Sequence, residues 1–204
     1  MREHYGWWFP DIDTHFPKML KKSVDKGGPP EYQQPARLRS IALASNRRTA
    51  LDIGANVGLW SRDLVQHFEK VVAFEPVAIF RDCLQRNVQS NKIEIQAVAL
   101  GDQNTQANMV ITQGNTGHSH LDPDSIGQGS VQVKTLDSLS LTDIDYIKVD
   151  CEGFEYRVLQ GSFKTIVDNR PIVVVEQKPH AAYSQQWGQF AAVELLQSWG
   201  MRRL

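Results

Sequence analysis

The sequence predicts an α/β fold whose centre is a mostly parallel, doubly wound sheet. After residue 48, short apolar stretches alternate with segments in which apolar residues recur at helical spacing. The first apolar stretch leads into a glycine turn, Gly54 to Gly58, and a helical segment follows it. The later run Ile172 to Val175 is continuously apolar, which is typical of a strand buried on both faces of a parallel sheet.

Length and composition are those of an ordinary globular protein with one sizeable core. The chain has 204 residues, of which 41% are hydrophobic and 22% charged. Its apolar runs are shorter than the roughly 18 residues of a membrane span, and the N-terminal residues do not resemble a signal peptide. Cys83 and Cys151 fall in a predicted helix and at a strand end. We therefore predict a cytoplasmic protein without a disulfide or a membrane partner.

Charge is spread unevenly, although the net value is −1. Residues 1–48 hold nine Lys and Arg against five Asp and Glu, a balance of +4, so the remainder carries −5. This excess is well short of a nucleic-acid-binding surface, and we predict no nucleic-acid partner. Lys26 to Pro30 indicates a hinge. We predict that residues 1–48 form an appendage that can serve as a lid on a domain of residues 49–204, and not an independent domain.

The core elements follow in order from these patterns. Apolar stretches predict strands at 49–53, 71–74, 93–98, 145–150 and 171–176. Helical spacing predicts helices at 59–68, 76–88, 155–161 and 190–199. In the last of these helices, we expect the inward face to carry Phe190, Val193, Leu196 and Trp199.

Between the third and fourth core strands the alternation is interrupted. Residues 108–112 and 130–136 look like two short strands around a loop rich in Gly, Ser, Asn and His. We predict a β-hairpin inserted there in place of a crossover helix. After the last helix only residues 200–204 remain, which predicts a sheet with a shortened, uncovered C-terminal edge. Because such an edge pairs readily, we expect either a homodimer through it or coverage by the N-terminal segment.

The glycine turn and an acidic residue after the second strand together predict a nucleoside site. In an open α/β sheet, ligands bind outside the carboxyl ends of strands, where an acid such as Glu75 can accept ribose hydroxyls. A dinucleotide site uses G-x-G-x-x-G, but Asn56 occupies the middle glycine position here. Because that side chain fills space that a pyrophosphate needs, the turn favours S-adenosylmethionine (SAM). An ordinary strand-to-helix turn remains the alternative at this point.

A second polar group follows the fourth core strand. Asp150 and Glu152 come directly after the stretch 146–149, so both carboxylates lie at the carboxyl edge of the sheet. Carboxylates there can hold a ligand's ammonium group, orient an acceptor hydroxyl, take its proton or bind a cation. Alternatively, either residue is a helix N-cap, and Glu155 faces solvent at the start of a helix.

Several motifs in order along the chain resemble the FkbM family of SAM-dependent methyltransferases. They are LDIGANVG (51–58), AFEP (73–76), ALGD (99–102), GNTGHSHL (114–121), TLDSL (135–139), IKVDCEGFE (147–155) and VLQGS (158–162). The resemblance covers residues 50 to about 199. It implies a Rossmann-like class I methyltransferase fold and O-methylation of a hydroxyl on a sugar or natural-product-like molecule. The implied partner is thus a small-molecule or glycan acceptor.

The resemblance also implies where the donor binds. The glycine turn lines the methionine end of SAM, Glu75 binds the ribose, and Leu100 with Asp102 flanks the adenine. The implied donor-binding residues are Asp52, Gly54, Ala55, Asn56, Gly58, Glu75, Pro76, Leu100, Asp102 and Asp150. Asp150 and Glu152 are implied to face the reaction centre.

Methyl transfer from a sulfonium needs few catalytic groups. In-line positioning of the acceptor oxygen, methyl carbon and sulfur supplies most of the rate. A general base adds a factor of about 10² to 10⁴. The base candidates are Glu152, His118 and His120, and a histidine is favoured for a hydroxyl acceptor near neutral pH. The alternative is that the histidines are ordinary polar loop residues.

Three further segments keep two interpretations each. Residues 176–180 follow the fifth strand, where acceptor-binding groups and ordinary surface residues are both expected. Residues 11–15 alternate metal-ligand types, but without a second cluster of known spacing we predict no metal site. Residues 7–10 form an aromatic patch that indicates core packing or a lid over the acceptor pocket, not a membrane anchor.

Other functions fit the same fold. An NAD-linked oxidoreductase is disfavoured by Asn56 and by the lack of a Tyr-x-x-x-Lys pair after the fourth strand. A non-catalytic module that binds SAM or S-adenosylhomocysteine (SAH) keeps the fold without turnover. A nucleic-acid base methyltransferase is disfavoured, because residues 150–153 stand where its Asn/Asp-Pro-Pro-aromatic motif belongs.

Overall fold

The predicted alternation of strands and helices is present, and a computed structural model describes it over residues 1–177 and 188–204. The N-terminal segment contains β1 (Arg2–His4), β2 (Trp7–Phe9), α1 (His15–Asp25) and α2 (Gln34–Ile41). The first half of the core contains β3 (Thr49–Ile53), α3 (Leu59–His67), β4 (Lys70–Phe74), α4 (Ala78–Asn87) and β5 (Ile93–Gln96). An insertion contains β6 (Ala99–Leu100), β7 (Thr105–Ala107), β8 (Met109–Val110), β9 (His120–Leu121) and β10 (Val131–Lys134). The second half contains β11 (Ile144–Val149), α5 (Glu155–Gln160), α6 (Phe163–Asn169), β12 (Ile172–Val175) and α7 (Ala191–Ser198).

The central sheet is parallel, with strand order β12-β11-β3-β4-β5 in the described part of the chain. The first two predicted strands are confirmed, since β3 and β4 pair over five positions from Thr49 and Lys70 to Ile53 and Phe74. The winding reverses between β3 and β11. Ligands bind such sheets in the crevice beyond the carboxyl ends of the two strands at this reversal. The prediction of a Rossmann-like, mostly parallel α/β sheet is therefore confirmed.

Helices pack against both faces of the sheet, because side chains alternate along each strand. From β3, Leu51 and Ile53 join the core beneath α5, α6 and α7, whereas Ala50 joins the core beneath α3 and α4. Strand β12 lies at one edge of the described sheet, and its residues are only half-buried. In the described part of the chain, β12 pairs with β11 along one side only. The prediction that this strand is fully buried is therefore wrong.

The last helix, α7, begins one residue later than predicted. Phe190 precedes the helix and is 50% exposed, so the prediction that it faces inward is wrong. Leu196 is buried as predicted, and Ala192, one turn before it, is buried on the same face. Val193 is half-buried, and Trp199 packs against the same core from just beyond the helix.

The predicted insertion takes the place of a crossover helix between β5 and β11, but its pairing differs from a single hairpin. Strand β10 pairs antiparallel with β7 and parallel with β6. Strand β8 pairs with β9, so Met109 and Val110 face Leu121 and His120 and do not pair with β10. Residues 114–120, called the histidine loop below, connect β8 to β9 and carry two of the predicted base candidates.

The N-terminal segment packs on α3 and α4 through aromatic side chains. The shared buried cluster consists of Trp7, Phe9, Phe16, Leu20, Val57, Leu59 and Cys83. Asn87 of α4 fastens β2, because its Nδ2 donates to the Trp8 carbonyl at 2.9 Å and its Oδ1 accepts from the Trp8 amide at 2.7 Å. This burial supports the core-packing interpretation of residues 7–10. In the two described ranges, no helix combines the length and apolar character needed to cross a bilayer.

Candidate active site

A cavity of about 510 Å³ opens beyond the carboxyl ends of β3, β4 and β11. Its volume is typical of small-molecule sites, which span about 300–1,000 Å³. The walls come from the glycine turn, the histidine loop and the N-terminal segment. The predicted site residues that line it are Gly54, Ala55, Asn56, Glu75, Pro76, Leu100, His118, His120, Asp150 and Glu152.

Glycine is required at two positions of the turn because of φ angles and close backbone approach. Gly54 has a φ of +76°, and a Cβ there would lie 2.0 Å from the carbonyl oxygen of Asp150. Gly58 has a φ of +91°, and a Cβ there would lie 2.5 Å from Cδ1 of Leu84 in α4. Gly58 thus packs the turn onto a helix and does not line the cavity. The turn following β3 is held tightly against the turn following β11.

Glu75 lies at the end of β4, is buried, and holds the glycine turn through its carboxylate. Oε2 accepts the amide of Asn56 at 2.8 Å, and Oε1 accepts the amide of Val77 at 2.8 Å. Burial raises the pKa of Glu75 from 4.5 to about 7, although these two amides oppose the change. The carboxyl group therefore meets the cavity where an acid was predicted to bind a ribose, and it fixes the turn as well.

The raised pKa of Glu75 gives the stability of the unliganded protein a pH dependence. The folded protein holds this proton more tightly than the unfolded chain, so the stabilisation is complete below pH 4.5 and is lost as pH rises through 7. Raising the pKa of Glu75 from 4.5 to about 7 corresponds to roughly 3 kcal/mol. Glu75→Gln removes the titration, so its stability relative to wild type should rise by about 2–3 kcal/mol between pH 5 and pH 8. Urea unfolding at both pH values measures this; parallel behaviour of the two proteins would contradict it.

Lys148 is a cavity-lining residue that the sequence interpretation missed. Its side chain is 3% exposed, and Nζ donates to the carbonyls of Gly54 at 2.6 Å and Ile53 at 3.1 Å. The same nitrogen lies 3.1 Å from Oδ1 of Asp52 and 4.0 Å from Oδ2 of Asp150. Burial alone would lower the pKa of Lys148, but the Asp52 and Asp150 carboxylates raise it above its usual value. The sequence did contain a signal for Lys148, because a charged residue between Ile147 and Val149 of a buried strand is unusual.

Asp52, a predicted donor-binding residue, lies beneath the turn and does not line the cavity. It is completely buried, and its Oδ2 accepts a hydrogen bond from Oγ of Ser61 at 2.6 Å. With Lys148 it forms a buried ion pair under the first βα turn. Asp52 therefore holds Lys148 in place, and Lys148 donates hydrogen bonds to the Ile53 and Gly54 carbonyls.

Asp102 also lies outside the cavity, although it was predicted to flank the adenine with Leu100. Its Oδ2 accepts a hydrogen bond from Nη1 of Arg157 at 3.0 Å. Leu100 is buried and does line the cavity. Within the ALGD motif, the structure therefore places the leucine at the cavity and the aspartate against α5.

Glu155 holds the turn that carries the predicted catalytic carboxylates. It is buried, and its Oε1 accepts the amides of Cys151 at 2.7 Å and Gly153 at 3.1 Å. Burial raises the pKa of Glu155 above its usual value. The solvent-facing interpretation of this residue is wrong. Between the two amides that it binds, Glu152 adopts a φ of +55° and lines the cavity.

The N-terminal segment, for which the sequence predicts an appendage that can serve as a lid, supplies part of the cavity wall through residues that the sequence did not single out. His15 and Phe16 of α1, Tyr32, and Arg37 of α2 all line it. Arg37 is buried, and its Nε donates to Oδ2 of Asp63 in α3 at 2.6 Å. No local pattern identifies these residues, because they reach the cavity through tertiary packing.

The structure shows what residues contact in two of the segments that the sequence left with two interpretations, 11–15 and 176–180. The Asp13 carboxylate accepts hydrogen bonds from the amides of Phe16 and Thr116 and from the Thr116 hydroxyl. Glu176 lines the cavity, where its carboxylate lies within 4.8 Å of ligand atoms of Asp150 and Glu155. Lys178 and His180 lie outside the described residues.

Comparisons with known proteins identify a family and similar folds. Residues 52–202 match the family model of the methyltransferase FkbM domain. The fold resembles the crystal structure of methyltransferase FkbM from Methylobacillus flagellatus KT, with 19% identity and a TM-score of 0.51 over 73% of this chain. The chain spans 36% of the length of that protein. A second similar structure is precorrin 8w decarboxylase from Methanobacterium thermoautotrophicum, with 14% identity and a TM-score of 0.51 over 83% of this chain and 73% of the other.

No protein with a curated description matches the sequence significantly. The family model nevertheless covers most of the chain, including the glycine turn, Glu75 and the turn that carries Asp150 and Glu152. The structural similarity adds a class I methyltransferase fold. The chain therefore belongs to the FkbM methyltransferase family.

Proposed function

We propose that this domain binds SAM in the cavity and transfers a methyl group to an oxygen of a small-molecule or glycan acceptor. The observation that carries the proposal is the pairing of a buried Glu75 with a turn whose middle position is filled by Asn56. An acid at this strand end suits ribose hydroxyls. The Asn56 side chain excludes the close backbone approach that a pyrophosphate requires.

The residues present fit SAM as the donor. Glu75 supplies the acid for the ribose, Leu100 supplies an apolar wall for the adenine, and Asp150 supplies a carboxylate for the ammonium group. Asp150 lines the cavity, and Lys148 lies 4.0 Å from it and pairs more closely with Asp52. When bound, SAM supplies a sulfonium-activated methyl group.

The chain's own residues then have to position an acceptor hydroxyl and remove its proton. Glu152, His118 and His120 line the cavity, and Asp150 lies beside them as the fourth candidate. Orientation of the acceptor supplies the larger part of the rate, and the base supplies about 10² to 10⁴. Although a histidine suits a hydroxyl acceptor near neutral pH, we propose Glu152 as the base because it lies on the same turn as Asp150, the proposed donor carboxylate, with the histidines contacting the acceptor.

Glu152→Ala is expected to leave SAH affinity within about twofold of wild type and to lower turnover by about 10²- to 10⁴-fold. The expectation follows because Glu152 lines the cavity from its own turn, while the turn is held by Glu155. Calorimetry with SAH and an assay of methyl transfer separate the two effects. Glu194→Ala, at an exposed position of α7, is the matched control. Unchanged turnover in Glu152→Ala would remove Glu152 from the reaction centre.

The experiment that tests the proposed activity is transfer of isotopically labelled methyl from SAM to a panel of hydroxylated sugars, glycans and natural-product-like molecules. We expect a methyl ether product from at least one member. Transfer only to nitrogen, carbon or sulfur acceptors would contradict O-methylation. SAH binding without transfer to any acceptor would favour the non-catalytic module.

We also propose that the protein acts in the cytoplasm as a homodimer paired through β12. The dimer is supported by β12, which is an edge strand of the described sheet and can therefore pair with another chain. Its residues are continuously apolar and half-buried. Light scattering coupled to size exclusion should give twice the mass of one chain. A monodisperse monomer would contradict the dimer.

A further inference from the structure

Thr116, in the histidine loop, joins three parts of the cavity wall through buried hydrogen bonds. Its amide donates to Oδ2 of Asp13 at 3.0 Å, and its hydroxyl donates to the same oxygen. Its carbonyl accepts from Nδ2 of Asn56 at 2.9 Å. Thr116 is fully buried and Asp13 nearly so. The N-terminal segment, the histidine loop and the glycine turn therefore meet at one residue.

The second carboxylate oxygen of Asp13 binds α1 of the N-terminal segment. This atom, Oδ1, accepts the amide of Phe16 at 3.0 Å and so binds the first turn of α1. The backbone repeats the link, because the Gly114 amide donates to the Ile12 carbonyl at 2.9 Å and the Gly114 carbonyl accepts the His15 amide at 2.9 Å. One buried carboxylate thus holds both the loop and the helix, which form adjoining parts of the wall.

The contact between these two parts is close-packed. Gly117 lies against Phe16 so tightly that a Cβ at Gly117 would be 3.1 Å from Cζ of the ring. His118 and His120 follow directly along the loop, and His15 and Phe16 lie on the other side, all lining the cavity. A change at Asp13 therefore moves groups that face the proposed acceptor.

On the other side of Thr116, the hydrogen bonds continue to the proposed donor site. Asn56 adopts a φ of +49°, its Oδ1 accepts the Val57 amide at 2.8 Å, and its own amide donates to Glu75. The path runs from Asp13 through Thr116 and Asn56 to the carboxylate proposed to bind the ribose. Each link is a hydrogen bond between residues that the structure describes.

We propose that Asp13 is a positioning residue. It fixes the histidine loop against α1 and, through Thr116 and Asn56, couples the order of this wall to occupancy of the donor site. The identity of the donor rests on the proposed function, whereas the mechanical link from Asp13 to Asn56 does not.

The test is hydrogen exchange of the full chain, with and without SAH, in wild type, Asp13→Asn, Thr116→Val and Thr116→Ser. Asparagine has one acceptor oxygen, so it cannot serve both Phe16 and Thr116, whereas serine keeps the hydroxyl of Thr116. Asp11→Asn is the matched control, because Asp11 is exposed and binds the N-terminal ammonium at 2.9 Å. Far-ultraviolet circular dichroism and melting curves establish that each variant is folded.

Without SAH, exchange in peptides covering 114–120 and 54–58 is expected to rise about tenfold in Asp13→Asn and Thr116→Val, as for one lost hydrogen bond. With SAH, wild type and Thr116→Ser gain protection in both 54–58 and 10–18. The Asp13→Asn and Thr116→Val variants gain it only in 54–58, and their SAH affinity falls about fivefold or more.

Equal SAH protection of residues 10–18 in wild type and Asp13→Asn would overturn the coupling. An exchange rate of residues 54–58 that is the same in Asp13→Asn and wild type without SAH would also overturn it. If wild type does not bind SAH, the proposed function fails. The measurement without SAH then still decides the link from Asp13 to Asn56. If Asp13→Asn does not fold, the comparison of Thr116→Val with Thr116→Ser gives the same two readouts.

Discussion

Glu75→Ala is expected to weaken SAH binding by at least about a hundredfold. The buried carboxylate is proposed to accept two ribose hydroxyls, and hydrogen bonds to a charged group contribute about 1.5–3 kcal/mol each. The substitution also releases the amides of Asn56 and Val77, which hold the turn. Isothermal calorimetry with SAH at pH 8 measures the effect, because the wild-type carboxyl with its pKa of about 7 is then ionised.

Two variants separate the ribose contact from general damage. Glu69→Ala removes an exposed carboxylate just before β4 and should bind SAH like wild type. Glu75→Gln keeps the shape and one acceptor, so its affinity should fall between those of wild type and Glu75→Ala. Equal SAH affinity in wild type and Glu75→Ala would remove the ribose assignment.

Lys148→Met is expected to lower the free energy of unfolding by about 3–5 kcal/mol, which is the usual cost of removing one partner of a buried ion pair. The substitution leaves Asp52, with 0% exposure, beside a methionine. It also removes the donor to the Gly54 and Ile53 carbonyls. Urea unfolding at pH 7, followed by tryptophan fluorescence and circular dichroism, measures the loss.

Lys164→Met is the control for the same chemical change at an exposed pair. Lys164 binds Asp168 four residues later on α6, with side chains 76% and 54% exposed, so its loss should change the free energy of unfolding very little. The double variant Asp52→Asn with Lys148→Met should recover part of the loss, because no buried charge is then left unpaired. A cost below about 1 kcal/mol for Lys148→Met would contradict the structural importance of the pair.

The sheet was predictable because its signals are local. The strand Thr49–Ile53 is buried and bounded by arginines before it and a glycine turn after it, so its ends are fixed by neighbouring residues. The helix α3 follows from the apolar period after Gly58 in the same way. The error at Phe190 arose because a helix boundary depends on packing that the sequence pattern does not contain.

The site was predictable where its residues follow strands directly. Glu75, Asp150 and Glu152 come at the carboxyl ends of strands, so sheet topology alone brings them together. Asp13 and Thr116 are 103 positions apart, and only the folded chain joins them. Lys148 carried a signal, a charge within a buried strand, whose meaning depended on Asp52 lying opposite it on β3.

We propose that the cavity beyond β3 and β4 is a SAM site. Titration calorimetry of the full chain with SAH and with NAD⁺ tests this proposal most directly. We expect SAH to bind saturably at one site per chain and NAD⁺ to give no saturable heat, because Asn56 fills the position that a pyrophosphate needs. Binding of NAD⁺ without binding of SAH would contradict the account.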